Sequence, residues 1–296
     1  MPEMEFVTIS SGDLTARINP FGAELWSLTD AHGREFMTAG DPAFWSGHAP
    51  LLFPIVGGLA ANRYRVDGQE YELPRHGFAR RSPFELMEAG ECSARFRLRD
   101  SAETRAVYPF AFELEMAFVL DGTTLHMTAT VRNPGDTALP FSFGYHPAFA
   151  WPLPGGSDKA DHVIAFSSPE TQRVRRLDPA SGLMLPDAEP TPVEGHHLAL
   201  DAALFEADAM IWDELVSRSL TFGTPGGAQL AIGFPDTPML GIWQKPGAPF
   251  LCIEPWQGHA DPVGFSCDFR EKPGIVNLES GDARAFRMDV TVLPAD

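Results

Sequence analysis

Phe112-Glu113-Leu114-Glu115-Met116-Ala117-Phe118-Val119-Leu120, then Asp121-Gly122-Thr123, then Thr124-Leu125-His126-Met127-Thr128-Ala129-Thr130-Val131-Arg132 is the stretch that decides the fold class. Apolar residues recur at every second position on both arms: Leu114, Met116, Phe118 and Leu120 on the first, Leu125, Met127, Ala129 and Val131 on the second. A period of two buries one face of a strand and leaves the other wet. Asp-Gly between two such arms is the turn chemistry of a β-hairpin. The same grammar recurs elsewhere. Ser11-Gly12-Asp13 separates residues 5–10 from 14–18, and Asp67-Gly68 separates 63–66 from 71–73. Asn133-Pro134-Gly135-Asp136 turns into residues 138–143. The chain reads as all-β and mostly antiparallel, a large sandwich of many short strands with few short helices.

Helical pattern is scarce. Residues 41–45 suit a single turn, with Asp41 as cap and Pro42 at the first position. Residues 204–215 fit helix and strand equally, and residues 151–161 and 177–194 read as loops. The 27 prolines and 27 glycines are spread along the chain and form no linker. At 296 residues, one domain spanning 1–296 is expected, since large all-β domains reach this size.

A formal charge of −18 argues against nucleic acid and against an anionic membrane surface, both of which select basic faces. A local group of arginines can still hold one phosphate. The cysteines, Cys92, Cys252 and Cys267, are odd in number and widely spaced, which suits a reducing compartment and not a disulfide framework. Met1-Pro2-Glu3-Met4-Glu5 lacks the basic start and apolar core of a signal peptide. No window approaches the ~20 apolar residues of a membrane helix. These features give the expectation of a cytoplasmic protein, monomer or homodimer.

Against this background four ionisable residues stand isolated among aromatic and proline-bound neighbours. They are Arg63 in Asn62-Arg63-Tyr64, His76 in Arg75-His76-Gly77-Phe78, His146 in Gly144-Tyr145-His146-Pro147, and Glu254 in Ile253-Glu254-Pro255-Trp256. The prolines after His146 and Glu254 hold both residues in extended backbone. Taken singly, each has an ordinary explanation. His146 reads as a satisfied structural histidine, Glu254 as the partner of a salt bridge to Arg63, Arg63 as a hairpin surface charge, and His76 as a turn cap. Their occurrence together, in rigid aromatic settings, points to an acid/base site facing a sugar ring.

These clusters, with Asn19-Pro20-Phe21-Gly22-Ala23-Glu24-Leu25 and His48-Ala49-Pro50-Leu51-Leu52-Phe53-Pro54, resemble the aldose 1-epimerase (galactose mutarotase) family, and its LacX-like branch most of all. The resemblance runs from about Ile18 to the C-terminus. It implies a β-supersandwich and the interconversion of the α and β anomers of a free aldose, with no cofactor and no metal. It assigns His146 as the acid that protonates the ring oxygen and Glu254 as the base that takes the anomeric proton. It assigns Arg63 and His76 to sugar oxygens. The family's sugar-binding aspartate has no clear counterpart here; Asp213 in Ile211-Trp212-Asp213 is the nearest candidate.

The chemistry requires such a pair. Anomer exchange opens a hemiacetal, so one proton leaves the C1 hydroxyl while another reaches the ring oxygen, and the roles then reverse. Histidine titrates in the right range, and a neighbouring Glu254 carboxylate is expected to keep His146 charged. Tyr145, Trp243 and Trp256 offer apolar faces for a pyranose; Trp45, Trp151 and Trp212 are expected in the core. The partner is a small aldose or sugar phosphate. The rival readings are a hexose-6-phosphate mutarotase using Arg80 and Arg81, a non-catalytic sugar sensor, and a glycoside hydrolase, which needs two carboxylates.

Overall fold

The 112–132 stretch folds as it reads. Glu113–Asp121 pairs antiparallel with Thr124–Arg132, with Leu120 opposite Leu125 and Met116 opposite Ala129. Leu114, Met116, Phe118, Leu125 and Met127 turn inward and are buried. This is a computed structural model describing residues 5–155 and 158–294. Residues 1–4, where the N-terminal reading falls, and 156–157, inside the expected 151–161 loop, lie outside the described residues.

The hairpin belongs to a nine-stranded sheet that runs from His197–Ala199 at one edge to Glu85–Ala89 at the other. An eight-stranded sheet carries the site. Its order runs from Met184–Glu189 through Val174–Leu177, Met210–Trp212, Met239–Trp243, Phe250–Gln257 and Phe143–Tyr145 to Leu51–Leu52. Ala148–Ala150 pairs beside Phe143–Tyr145 on the same Phe250–Gln257 strand. Aromatic side chains fill the space between the sheets; Phe143 and Phe286 stack at 5.1 Å.

Tyr145 ties the two sheets together. Its hydroxyl donates to the Phe286 carbonyl at 2.8 Å and accepts from the Ala129 N–H at 3.0 Å. Burial drives its ionisation far above the ordinary phenol range. Tyr145 is therefore core and offers no face to a sugar, because adjacent strand residues point to opposite sides and His146 takes the other one.

Helix is confined to Ala102–Val107, capped by Ser101, and to five single 3-10 turns among the described residues. Residues 41–45 form the expected turn: the Asp41 carboxylate accepts from the Ala43 N–H at 2.8 Å. The ambiguous 204–215 stretch divides into the end of the turn Ala202–Phe205 and the strand Met210–Trp212. The expected loop at 177–194 is corrected, since Met184–Glu189 forms an outer strand. Pro186 misled the reading; proline is tolerated where one side of the strand has no partner. No helix among the described residues is long and apolar enough to cross a membrane.

Candidate active site

The strand Phe250–Gln257 turns its even-numbered residues to one side, so Cys252, Glu254 and Trp256 share a face. Its ladder places Gly144 opposite Trp256 and Ala148 opposite Cys252. His146 lies midway between those paired positions and hence directly across from Glu254. Pro147, between His146 and Ala148, has no N–H to give, and its carbonyl accepts from Ile253 at 3.2 Å. Residues so opposed hold their Cβ atoms about 5 Å apart. The consequence is seen in the side chains: His146 Nε2 lies 3.2 Å from Glu254 Oε2.

Trp256 makes the floor, and two glycines make room for it. A Cβ at Gly144 or at Gly241 would lie 2.5 Å from the indole. The small residue on each neighbouring strand thus lets the ring lie across the sheet. Above it opens a cleft of about 270 Å³ lined by Trp45, His76, Arg80, His146, Trp243 and Glu254, among others. That is just below the ~300–1,000 Å³ range of pockets for drug-sized ligands, so the cleft suits a smaller molecule.

Trp45 stacks on the His146 imidazole at 4.9 Å, and Trp243 meets it edge-on at 6.1 Å. The expectation that Trp45 is core is corrected: it is half-buried and walls the cleft. Trp151 and Trp212 are buried as expected. His76 sits at φ 67°, a left-handed conformation costly for a histidine. Its backbone N–H donates to the Gly57 carbonyl at 2.9 Å, and its Nδ1 accepts from the Gly57 N–H at 3.1 Å. With Nδ1 accepting, the neutral ring must carry its proton on Nε2. Burial, with the neighbouring His146 and Arg80, holds the His76 pKa well below the ordinary imidazole value. His76 is a fixed neutral donor.

The expected charge on His146 is corrected. Burial pushes its pKa down to about 3, and the Arg80 guanidinium acts in the same direction. Burial also drives the Glu254 carboxyl well above its usual range, with Asp208 adding to the rise. Desolvation thus opposes charge on both members of the pair.

Arg63 does not join these residues. It projects from the hairpin Arg63–Val66/Gln69–Glu72, pairs with Glu70 at 2.9 Å and is 58% exposed. It borders a different depression, beside Phe265 and Cys267. Its strand alternation sends Tyr64 inward and Arg63 outward, which is why the expected sugar contact is absent. Asp213 also stays outside the cleft lining; its carboxylate accepts from Arg175 Nε at 2.6 Å. The cleft takes its cations from Arg75 and Arg80, and its exposed carboxylate from Asp208. Arg75 stretches over Gly182, where a Cβ would meet its guanidinium. Arg80 donates to the Arg75 carbonyl at 3.1 Å, while its buried Nε has no partner. Arg75 and Arg80 flank the His76-Gly77 turn in sequence, a signal available in the chain itself. Asp208 carried none: it lies at φ 66° in the loop between Ala202–Phe205 and Met210–Trp212.

Comparison with known proteins identifies relatives of the whole chain. A model of the family described as aldose 1-epimerase matches residues 5–264. The chromosomal LacX protein of Lactococcus lactis subsp. lactis is 32% identical over 289 residues, 95% of this chain and 97% of that one. The crystal structure of a galactose mutarotase related enzyme from Lactobacillus acidophilus superposes with a TM-score of 0.91 at 32% identity, covering 98% of each chain. A galactose mutarotase-like protein from Lactobacillus casei ATCC 334 gives 0.91 at 28% identity, covering 98% of this chain and 100% of that one. The all-β supersandwich expected from the sequence is the fold observed.

Proposed function

We propose that this chain, which belongs to the aldose 1-epimerase family, is a mutarotase that equilibrates the α and β anomers of an aldose through His146 and Glu254. The observation that carries this reading is the cross-strand contact of 3.2 Å between His146 Nε2 and Glu254 Oε2 at the floor of a small cleft.

The pair holds one proton. Whether written as neutral imidazole with carboxylic acid or as imidazolium with carboxylate, the count is the same. Burial favours the first form. Sugar oxygens entering the cleft supply hydrogen bonds that buried ions lack, and the proton then moves from Glu254 to His146. Glu254 takes the proton of the C1 hydroxyl as His146 gives its proton to the ring oxygen. The bond from C1 to the ring oxygen breaks and an open-chain aldehyde forms. Rotation about C1–C2 presents the other carbonyl face. The ring oxygen attacks C1, its proton returns to His146, and Glu254 reprotonates the new anomeric hydroxyl. No proton is gained or lost over the cycle. His76 Nε2–H serves as a fixed donor to a sugar oxygen, and Trp45, Trp243 and Trp256 supply apolar walls.

A second reading of the substrate, an aldose bearing a phosphate, is favoured by Arg75 and Arg80. Both line the cleft, and neither has a carboxylate within 4 Å among the described residues. Polarimetry on freshly dissolved α-glucose, α-galactose and glucose 6-phosphate tests both. Acceleration of anomer exchange is expected; binding of a sugar with no acceleration would refute catalysis. Preference for the phosphate ester would decide the substrate.

A further inference from the structure

The proton relay leaves one buried nucleophilic group without a task. Cys252 stands two residues before Glu254 on the same strand face and is fully buried. Its Sγ, a His146 ring nitrogen and a Glu254 carboxylate oxygen all lie within 4.8 Å of one another. His146 Nδ1 is buried and has no hydrogen-bond partner, and Glu254 Oε2 is buried with only the His146 Nε2 contact at 3.2 Å. Three ligand atoms of different chemistry therefore lie together, two on residues that line the cleft and the third on Cys252, packed behind them with Ala148 and Phe250.

We propose that Cys252, Glu254 and His146 form a site for one thiophilic divalent cation, such as Zn²⁺ or Cd²⁺, whose binding blocks the proton relay. The donor set is one thiolate, one imidazole and one carboxylate, which suits zinc-like ions and not Mg²⁺ or Ca²⁺. With Zn–S near ~2.3 Å and Zn–N or Zn–O near ~2.0–2.2 Å, tetrahedral ligand atoms stand ~3.3–3.7 Å apart. A triad already within 4.8 Å reaches that spacing by small side-chain shifts. The charge also balances: a divalent ion with a thiolate, a carboxylate and a neutral imidazole sums to zero, so burial leaves no uncompensated charge. Thiolate coordination displaces the thiol proton, so affinity rises with pH. His146 and Glu254 line the cleft, so an ion held by them borders it. An ion there holds both proton-carrying groups, and inhibition competes with sugar.

The metal site stands on geometry alone; only its inhibitory effect rests on the proposed mutarotase activity. Calorimetry of the metal-free full-length protein with Zn²⁺ is expected to give one ion per chain at this site with proton release. Cd²⁺ is expected to produce a thiolate-to-metal charge-transfer absorption. Cys252→Ser is expected to abolish that band and weaken Zn²⁺ binding by at least ~100-fold, more than loss of an outer-shell partner costs. X-ray absorption of the parent with Zn²⁺, which needs no variant, is expected to show one sulfur and two nitrogen or oxygen protein ligands. Absence of a sulfur ligand, or a Cys252→Ser protein that binds as tightly as the parent, overturns the proposal. Metal binding as described in a protein that does not accelerate mutarotation upholds the site and refutes the activity instead.

Discussion

Glu254→Gln separates chemistry from architecture more cleanly than any other change in the cleft. Glu254 is 2% exposed and burial pushes its carboxyl toward the protonated form, which an amide of the same shape replaces almost isosterically. A raised folded-state pKa means that the folded protein binds more protons than the unfolded chain from pH 4.5 up to that raised value. Stability from this group is therefore full below pH 4.5 and is lost as pH rises through the folded value. Glutamine does not titrate, so the variant escapes that loss and is expected to melt no lower than the parent at pH 7–8. Activity behaves oppositely. The amide cannot accept the anomeric proton, and a positioned acid or base contributes ~10²–10⁴-fold, equivalent to about 3–5 kcal/mol of barrier. Polarimetry of fresh α-aldose gives kcat, and circular dichroism gives the melting curve. A variant as fast as the parent would refute the proton-transfer role, and one that is slow only because it is unfolded would refute the account of the buried carboxyl.

Four further outcomes follow from the same geometry. Arg63→Ala, on an exposed hairpin ion pair worth ~0–1 kcal/mol, is expected to leave kcat/KM within about twofold of the parent, whereas Arg80→Met is expected to raise KM; equal effects would restore Arg63 to the site. Trp45→Ala removes the ring stacked on His146, admits water, and is expected to move the imidazole pKa up from about 3, read by NMR, with a loss of up to about tenfold in kcat/KM. His146→Asn is expected to flatten stability against pH between 6.5 and about 3; over that window the unfolded parent binds the extra proton, so the parent alone loses stability through this group as pH falls. Exhaustive chelation is expected to leave the mutarotation rate unchanged or to raise it, and a loss restored by added metal would defeat the cofactor-free mechanism.

The legible part of this protein lay in short-range pattern. Period-two alternation with Asp-Gly turns specified the hairpins, because each strand buries one face and a one-residue slip would expose it. His146 and Glu254 were legible for a related reason: a polar side chain on an otherwise apolar strand face, fixed by a following proline, has few structural uses. Two cleft-lining residues supplied by loops were not legible. Asp208 reaches the cleft through a left-handed turn, and Trp45 through a single turn closed by Asp41. Neither position follows from local periodicity. Arg63 was misassigned because its sequence neighbourhood resembled a site, while its strand parity sends it to solvent.

In the proposed mechanism, strand register also accounts for how the pair shares a single proton. Two groups on separate loops would each settle at a pKa set by their own surroundings. Here the ladder on either side fixes His146 and Glu254 opposite each other, and the sandwich behind them excludes water. Neither can become charged cheaply unless the other does, so the proton moves between them in preference to leaving for solvent. A reversible reaction needs that property, since ring opening and ring closure must begin from the same protonation state. The fold therefore contributes more than proximity. In the proposed mechanism it favours keeping one transferable proton in the cleft, in a chain whose 40 acidic residues give a net charge of −18 without pairing with the arginines that line it.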